Sequence, residues 1–287
     1  MKLYIHTDIE GVAGMVHFED REDQSAEGHY RRLRMQKLLT GEVNAAIEGA
    51  LDAGVDEILV NDSHGSGYNI IFEELNPAAQ IIHGPLTRQP FWLPCLDKSV
   101  DLMFCLAQHA MGQTNGVLAH SLWYCNDLYF GEAGMAMALA GWNGIPTVLV
   151  TGDNTCCAQV RDLVPEIETV VVKEALSPYN AKSWTPARAR EMIRAGAKTA
   201  VKRRQEIRPF TIRPPYRLGF PSRPGVAPEK VMEGEDFRDL VMRFLCQGYH
   251  YDLQQLPVWP MEPGYKVPTI HKSLLRKWEE ERNSRGS

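Results

Sequence analysis

The sequence predicts an α/β fold with three layers, in which a mostly parallel sheet is covered by helices on both faces. Short apolar segments rich in β-branched residues alternate with longer segments of helical period over about the first 205 residues. The chain has 287 residues, of which 44% are hydrophobic, and this is enough to bury one substantial core. These observations favour one α/β domain followed by a smaller C-terminal region.

Six short segments have the composition of strands. They cover residues 3–7, 57–61, 80–83, 101–107, 146–151 and 168–173. After the first strand, residues 30–53 carry an apolar stripe at helical spacing, and Gly54 marks the end of that helix. Residues 132–142 predict a helix of small side chains that packs closely against its neighbours. Thr185 and Pro186 have the residue types of an N-cap and a first turn, which predicts a helix to about residue 204.

The composition changes after about residue 205. Six prolines there interrupt any long periodicity: Pro209, Pro214, Pro215, Pro221, Pro224 and Pro228. Residues 235–247 and 270–282 have the pattern of helices. We therefore expect residues 1–205 to form the α/β domain that carries the functional site. We expect residues 206–287 to form a C-terminal region that makes oligomer contacts or covers a pocket.

Composition excludes several classes of partner. The formal net charge of -5 and the pI near 6.0 provide no basic surface for nucleic acid. No apolar run reaches the roughly 18 residues that span a bilayer, and no signal peptide precedes the first predicted strand, so we expect a cytoplasmic protein without membrane partners. The six cysteines lack Cys-x-x-Cys spacing and are expected to be reduced and mostly buried. Small molecules or peptides are the expected partners.

Polar residues directly follow three of the predicted strands. Asp8 and Glu10 follow the first strand, His64 follows the second, and His109 follows the strand at 101–107. Because ligands of open parallel sheets bind at the carboxyl ends of the strands, these two carboxylates and two imidazoles are expected to converge at one edge.

Mixed imidazole and carboxylate ligands suit zinc or a similar divalent ion. The set is too large for one tetrahedral catalytic zinc that keeps a position open for water, whereas two ions that share a bridging carboxylate would use it fully. A pair of ions activates water and polarises the group under attack. The sequence therefore predicts hydrolysis of an amide, an ester or a phosphate.

Each of these residues has a simpler interpretation in isolation. A carboxylate after a strand often caps a turn, and a single histidine is often a satisfied loop or core residue; the joint placement at three strand ends favours the metal site. Asp153 also follows a strand but is as well placed to cap the next helix. Five histidines without such placement are assigned to the surface or the core: His17, His29, His83, His250 and His271.

Five motifs, in this order, resemble those of the M55 family of D-aminopeptidases over about residues 1–205. They are Asp8-x-Glu10-Gly11, Val60-Asn61-Asp62-Ser63-His64, His109-Ala110, Ala119-His120-Ser121 and Gly131-Glu132-x-Gly134. The resemblance implies a dizinc enzyme that releases N-terminal D-amino acids from small peptides. It implies a catalytic role for His120 and the metal ligands Asp8, Glu10, His64, His109 and Glu132. It also implies a ring-like homo-oligomer, possessing ten subunits by analogy with the family.

The chain departs from the family pattern at two places. It has His6 where the family usually has serine, and its segment from His120 to Glu132 is shorter than is usual in the family. Trp123, Tyr124 and Cys125 lie in that segment and suggest a partly apolar pocket wall. These departures leave open a variant function, in which the same two-metal site hydrolyses another small amide.

Two further alternatives come from other classes of protein. A haloacid-dehalogenase-like phosphatase has motifs that Asp8-Ile9-Glu10-Gly11 and Gly152-Asp153 mimic, but it would use an aspartyl nucleophile with magnesium and would not need His64 or His109. A metal-stabilised assembly protein would use the ions for folding only, although structural zinc sites are usually closed and rich in cysteine.

Overall fold

The computed structural model describes residues 1–20, 22–84, 92–222 and 228–248, and these contain eleven strands and five α-helices. The strands are β1 Lys2–Thr7, β2 Glu57–Asp62, β3 Ala79–Ile82, β4 Leu102–Gln108, β5 Trp123–Cys125, β6 Leu128–Phe130, β7 Thr147–Asp153, β8 Glu168–Ser177, β9 Asn180–Ser183, β10 Tyr216–Phe220 and β11 Lys230–Gly234. The helices are α1 Ala26–Leu51, α2 Glu132–Trp142, α3 Asn154–Leu163, α4 Pro186–Lys202 and α5 Phe237–Gly248.

The larger sheet has seven strands in the order β3-β2-β1-β4-β7-β8-β9. All neighbouring pairs are parallel except β8 and β9, which form an antiparallel hairpin. The chain proceeds from β1 outward to β2 and β3, and then returns to the other side of β1 with β4. This reversal creates a switch point between β1 and β4, and a crevice at such a point is where parallel sheets bind ligands.

Two helical layers cover this sheet. Helices α1 and α4 pack against each other and against β4, β7 and β8, whereas α2 and α3 pack together against β4, β7 and β8. Helix α2 is apolar all round, with nine consecutive buried residues from Ala133 to Gly141, because its small side chains allow close approach on every side. The three-layer α/β fold predicted from the sequence is therefore confirmed.

The smaller sheet joins distant parts of the chain in the order β11-β10-β5-β6. Leu218 of β10 pairs with Cys125 of β5, and α5 packs on β10 and β11. Strand β10 thus lies directly on the segment that follows His120. The helix predicted at 235–247 is present as α5, and the helix predicted at 270–282 lies outside the described residues. The division of the chain at residue 205 stays a prediction.

The six predicted strands and the first four predicted helices are all present, with ends shifted by a few residues. Thr185 is the N-cap residue of α4 as predicted, but its side chain makes no capping hydrogen bond. The five described cysteines are free, and four of them are buried. Among the described residues, no helix has both the length and the apolar character needed to cross a membrane.

Candidate metal centre

The loop after β1 brings Asp8 and Glu10 to the switch point. The Asp8 and Gly11 N–H groups donate to the Leu106 and Ala107 carbonyls of β4, at 3.0 and 2.8 Å. Gly11 is required for this approach, because a Cβ there would lie 2.3 Å from the backbone carbonyl carbon of Ala107. The missing side chain lets the loop lie directly on the backbone of β4.

A buried lysine and a buried glutamate hold the same loop from the other side. Lys173 of β8, only 1% exposed, donates from Nζ to the carbonyls of Glu10, Val12 (3.1 Å) and Met15 (2.7 Å). Glu42 of α1 accepts from the Ala13 N–H at 2.9 Å. The backbone that carries Glu10 is therefore fixed by a charged donor and a carboxylate, both supplied by distant elements.

The loop after β2 is organised by Asp62. Its carboxylate accepts from the backbone N–H groups of Asn69 and Ile70, at 2.7 and 2.9 Å, and from the Asn69 side-chain amide. The same amide donates to the His64 carbonyl at 2.6 Å. Asp62 thus closes the loop around His64, which leaves the His64 ring to face Asp8 and Glu10.

A β-bulge at the end of β4 directs His109. The pairing of β4 with β7 shifts register between Cys105 and Gln108. Within the bulge, Ala107 has a φ of 60°, in the left-handed region that residues other than glycine rarely adopt. Its N–H donates to the Thr151 hydroxyl at 2.9 Å. Bulges re-aim side chains at functional edges, and this one directs His109 into the crevice.

His120 lies in the loop between β4 and β5, and Glu132 begins α2; both side chains approach the crevice from this part of the chain. Glu132 is the first residue of α2, where the helix dipole favours a negative charge. The Ser121 hydroxyl donates to Glu132 Oε1 at 2.7 Å. The His120 ring stacks on the His109 ring, with 3.8 Å between centroids and 19° between planes. These contacts place His120 at the solvent-facing side of His109.

The structure brings all six residues predicted for the site together. His64 Nδ1 lies 2.9 Å from Asp8 Oδ1 and 3.3 Å from Glu10 Oε2. His109 Nε2 lies 3.5 Å from Asp8 Oδ2 and 3.6 Å from Glu132 Oε1. His120 Nε2 is also 3.6 Å from Glu132 Oε1. The side chains therefore surround one crevice, with Asp8 and Glu132 on either side of His109.

Hydrogen bonds to carbonyls set the orientation of two of the histidine rings. His109 Nδ1 is 2.7 Å from the Ala110 carbonyl, and His120 Nδ1 is 2.9 Å from the Leu118 carbonyl. Because a carbonyl oxygen only accepts, each Nδ1 carries a proton. Nε2 of each ring is then the atom that faces the crevice, free to accept a metal ion or a proton.

The electrostatics show strong coupling among these groups. Burial and the neighbouring Glu10 raise the pKa of Asp8 to about 7. Burial acts against charge on Glu10 and His64 as well. The contact with His64 outweighs burial and lowers the pKa of Glu10, whereas contacts with Asp8, Glu10 and Glu19 raise the pKa of His64. Burial favours a neutral His109 ring, yet Glu132 and Asp8 raise its pKa to about 10. Positive charge is strongly favoured in this crevice.

The unsatisfied polar atoms indicate what the crevice is built to hold. Asp8 Oδ2, Glu10 Oε2 and His109 Nε2 are buried and make no hydrogen bond within the described residues. Buried polar atoms of this kind need a partner, and a cation satisfies carboxylate and imidazole lone pairs together. The donor set therefore fits divalent metal ions.

Two sets of three potential ligand atoms each lie within 4.8 Å of one another. One set belongs to Asp8, Glu10 and His109, and the other to His109, His120 and Glu132. The ring of His109 is common to both, so it lies between the two positions. His64 belongs to neither set, although its Nδ1 contacts both carboxylates of the first.

The other candidates from the sequence lie elsewhere. His17, His29 and His83 are exposed, and His250 and His271 lie outside the described residues. Asp153 caps α3, where its carboxylate accepts from the Cys156 N–H at 2.8 Å, and it also accepts from the Val117 N–H. The residues Trp123, Tyr124 and Cys125 are at most 6% exposed and pack within the smaller sheet, so they do not form an open pocket wall.

His6 is buried behind the site. Its Nδ1 lies 2.7 Å from the Ser63 hydroxyl, and its ring meets the edge of Trp92 at 4.9 Å. Burial lowers its pKa to about 4. The ring that replaces the family's serine is thus a neutral packing element between β1 and the loop of His64.

Sequence reasoning missed three residues that touch the site. The position of Lys173 could have been noticed in the sequence, because this lysine ends a predicted strand that is mostly apolar. Glu19, whose Oε2 lies 3.5 Å from His64 Nε2, and Phe18, whose ring contacts His120, lie in a polar loop without any pattern. Their positions follow from the path of the loop over the crevice.

Comparison with known proteins gives consistent results. The family model of the D-aminopeptidases of peptidase family M55 matches residues 1–225. A D-aminopeptidase of Bacillus subtilis (strain 168) is 33% identical over 224 residues, which is 76% of this chain and 79% of the relative. The fold is similar to that of the Zn-dependent D-aminopeptidase DppA from Bacillus subtilis, a self-compartmentalizing protease. The TM-score is 0.76 at 25% identity, covering 86% of this chain and 97% of the other.

Proposed function

Because the chain belongs to the M55 family of D-aminopeptidases, we propose that it is a zinc-dependent aminopeptidase that releases N-terminal D-amino acids from small peptides. The observation that carries the proposal is the convergence of three buried, unpartnered ligand atoms, on Asp8, Glu10 and His109, at the switch point of the sheet. The phosphatase alternative is not retained, because it gives no role to His64 or His109.

The proposed ligands of two zinc ions are five side chains: Asp8, Glu10, His64, His109 and Glu132. Bound zinc supplies an activated water and polarises the scissile carbonyl. Asp8 would suit a position shared by both ions, because its Oδ1 faces His64 and its Oδ2 faces His109, whereas His109 offers the single atom Nε2. Lys173 and Asp62 hold the loops of Glu10 and His64, and rigid outer contacts of this kind keep ligands in place.

His120 is the proposed proton-transfer residue. Its ring is the more exposed partner of the stacked pair, with 39% of the side chain open to solvent compared with 0% for His109. The Nδ1–H group is engaged with the Leu118 carbonyl, which leaves Nε2 to exchange protons with a substrate. Nε2 takes up the proton that the attacking water releases, and we assign to it the delivery of that proton to the leaving amine as the peptide bond breaks.

Assembly and location complete the proposal. A homo-oligomeric ring, with ten subunits as the proposed number, would make this chain resemble a self-compartmentalizing protease such as its structural neighbour. Light scattering on the purified chain measures the subunit number directly. The proposed location is the cytoplasm, where the five described thiols stay reduced.

The direct test uses the zinc-loaded chain with D-Ala-D-Ala and L-Ala-L-Ala side by side. We expect alanine release from the D,D-peptide only, and we expect His109→Ala to abolish it. His29→Ala is the matched control, because His29 is exposed on α1. Cleavage of neither peptide by a protein that binds about two zinc ions would leave the metal site in place and reject D-peptides as substrates. The alternative, hydrolysis of another small amide, would then be tested with a panel of such amides.

A further inference from the structure

Two exposed aromatic side chains lie beside His120. Phe18 is 42% exposed and Tyr179 is 61% exposed, although aromatic rings gain most when they are buried. The Phe18 ring meets the His120 ring edge-on, with 5.4 Å between centroids, and meets the Tyr179 ring at 6.4 Å. Phe18 and Tyr179 therefore form a continuous apolar surface next to His120, here called the aromatic wall.

The wall is anchored to the site at both ends. The Leu118 N–H donates to the carbonyl of Pro178 at 2.9 Å, which ties the tip of the β8–β9 hairpin to the loop of His120. On the other side, Glu19 follows Phe18 directly, and its carboxylate lies 3.5 Å from His64 Nε2. The contact of Pro178 with the loop of His120 thus fixes the position of Tyr179, and the contact of Glu19 with the His64 ring fixes the position of Phe18.

The position of the aromatic wall indicates which side of the scissile bond it contacts. One face of the His120 ring is covered by His109, and its Nδ1 is engaged with the Leu118 carbonyl. A leaving amine that takes a proton from His120 must come within hydrogen-bond reach of Nε2. The residue that carries this amine then lies next to Phe18, which touches the same ring.

We propose that the aromatic wall is the subsite for the side chain that follows the scissile bond, and that it selects a large apolar side chain there. The inference rests on the proposed peptidase function and deepens it. The two rings present apolar area that a peptide side chain can cover, and each aromatic contact contributes about twofold to tenfold in binding. The preferred substrates are therefore small D-peptides with a bulky apolar residue in second position.

The test compares kcat/KM for D-Ala-D-Phe with that for D-Ala-D-Ala, using the zinc-loaded full chain. We expect the ratio to favour D-Ala-D-Phe, and we expect Phe18→Ala and Tyr179→Ala each to lower it about twofold to tenfold. Tyr179→Phe keeps the ring and should keep the ratio. Tyr68→Ala is the matched control, because Tyr68 is 63% exposed and its ring packs on His83 instead.

The ratio of the two kcat/KM values does not depend on the fraction of folded protein. It also does not change if a variant disturbs His120 and lowers the activity on both peptides equally. The inference is overturned if neither alanine variant changes the ratio, or if the variants affect D-Phe-D-Ala instead of D-Ala-D-Phe. If the wild-type chain cleaves no peptide, the proposed function fails separately. Calorimetric binding of D-phenylalanine and D-alanine to the zinc-loaded chain then decides on the subsite: tighter binding of D-phenylalanine that both alanine variants abolish supports it, and equal affinities overturn it.

Discussion

Replacement of Gly11 by alanine should disable the metal centre without unfolding the chain. The added Cβ would lie 2.3 Å from the Ala107 carbonyl carbon and the Gln108 carbonyl oxygen, whereas ordinary contact begins at 3.4 Å. The loop must therefore retreat from β4 by about 1.1 Å, and the 2.8 Å hydrogen bond from the Gly11 N–H would stretch beyond hydrogen-bonding range. Overpacking of this size costs about 1 to 3 kcal/mol of stability.

The effect on activity should be much larger than the effect on stability. Glu10 precedes Gly11 and moves with it, and a displacement of about 1 Å near the reacting atoms costs about 100-fold in rate. We expect Gly11→Ala to lose about 100-fold in kcat/KM on D-Ala-D-Ala and to bind fewer than two zinc ions per chain. Gly14→Ala is the control in the same loop, because a Cβ there meets no atom within 4 Å and the only cost comes from its φ of 82°. Equal activity of the two variants would refute the steric argument.

Three further outcomes follow from the same contacts. Lys173→Met should weaken zinc binding about tenfold or more, measured by competition with a chromophoric chelator, since outer contacts of metal ligands have effects of this size; the exposed Lys182→Met should not, and equal affinities would contradict the role of Lys173. Burial raises the pKa of Glu42 from 4.5 to about 7, so its contribution to folding is full below pH 4.5 and is lost as the pH rises through 7. Glu42→Gln keeps the acceptor for the Ala13 N–H, and it should reduce the fall in unfolding free energy between about pH 4 and about pH 8 by about 3 kcal/mol in urea titrations; an unchanged pH dependence would show that Glu42 is not the group responsible. Removal of zinc with a chelator should abolish peptide cleavage while far-UV circular dichroism stays native, whereas unfolding would favour a structural role for the metal.

The central sheet could be predicted because its signals are local. Each buried strand is a short apolar run, and the polar residues Asp8, His64 and His109 stand at the point where a run ends. Parallel pairing then forces those ends to one edge, so knowledge of the strands was sufficient to bring the residues together. Helix α2 was predicted to the residue, because its small side chains contrast with the polar segments on both sides.

The smaller sheet could not be predicted from such signals. Strands β5 and β6 have three residues each, too few for a detectable alternation. Strand β10 pairs with β5 across about 90 residues of sequence, and it follows a stretch rich in proline that predicts irregular structure. Their pairing depends on tertiary contacts, which override local preference in short strands.

The residues that hold the ligand loops in place could not be predicted either, because they too depend on tertiary contacts. Lys173 donates to three carbonyls more than 150 positions away in the sequence, and nothing near it in the sequence marks those acceptors. Phe18 lies in a polar loop that contacts His120 through Phe18 itself and His64 through Glu19, and these contacts set its path over the crevice. A sequence shows which residues carry ligand atoms, whereas their outer partners are a property of the folded chain.

Several features that are costly to stability lie around one crevice. The backbone of Ala107 is in the left-handed region, and three ligand atoms lack hydrogen-bond partners among the described residues. Lys173 is a buried amine, and burial lowers its pKa to about 8. Each of these reduces stability by itself. They persist because the seven-stranded sheet and its two helical layers bury enough apolar surface to tolerate them. The packing and hydrogen bonds of the whole domain therefore support the ligand geometry, in contrast to small zinc domains whose fold depends on the ion.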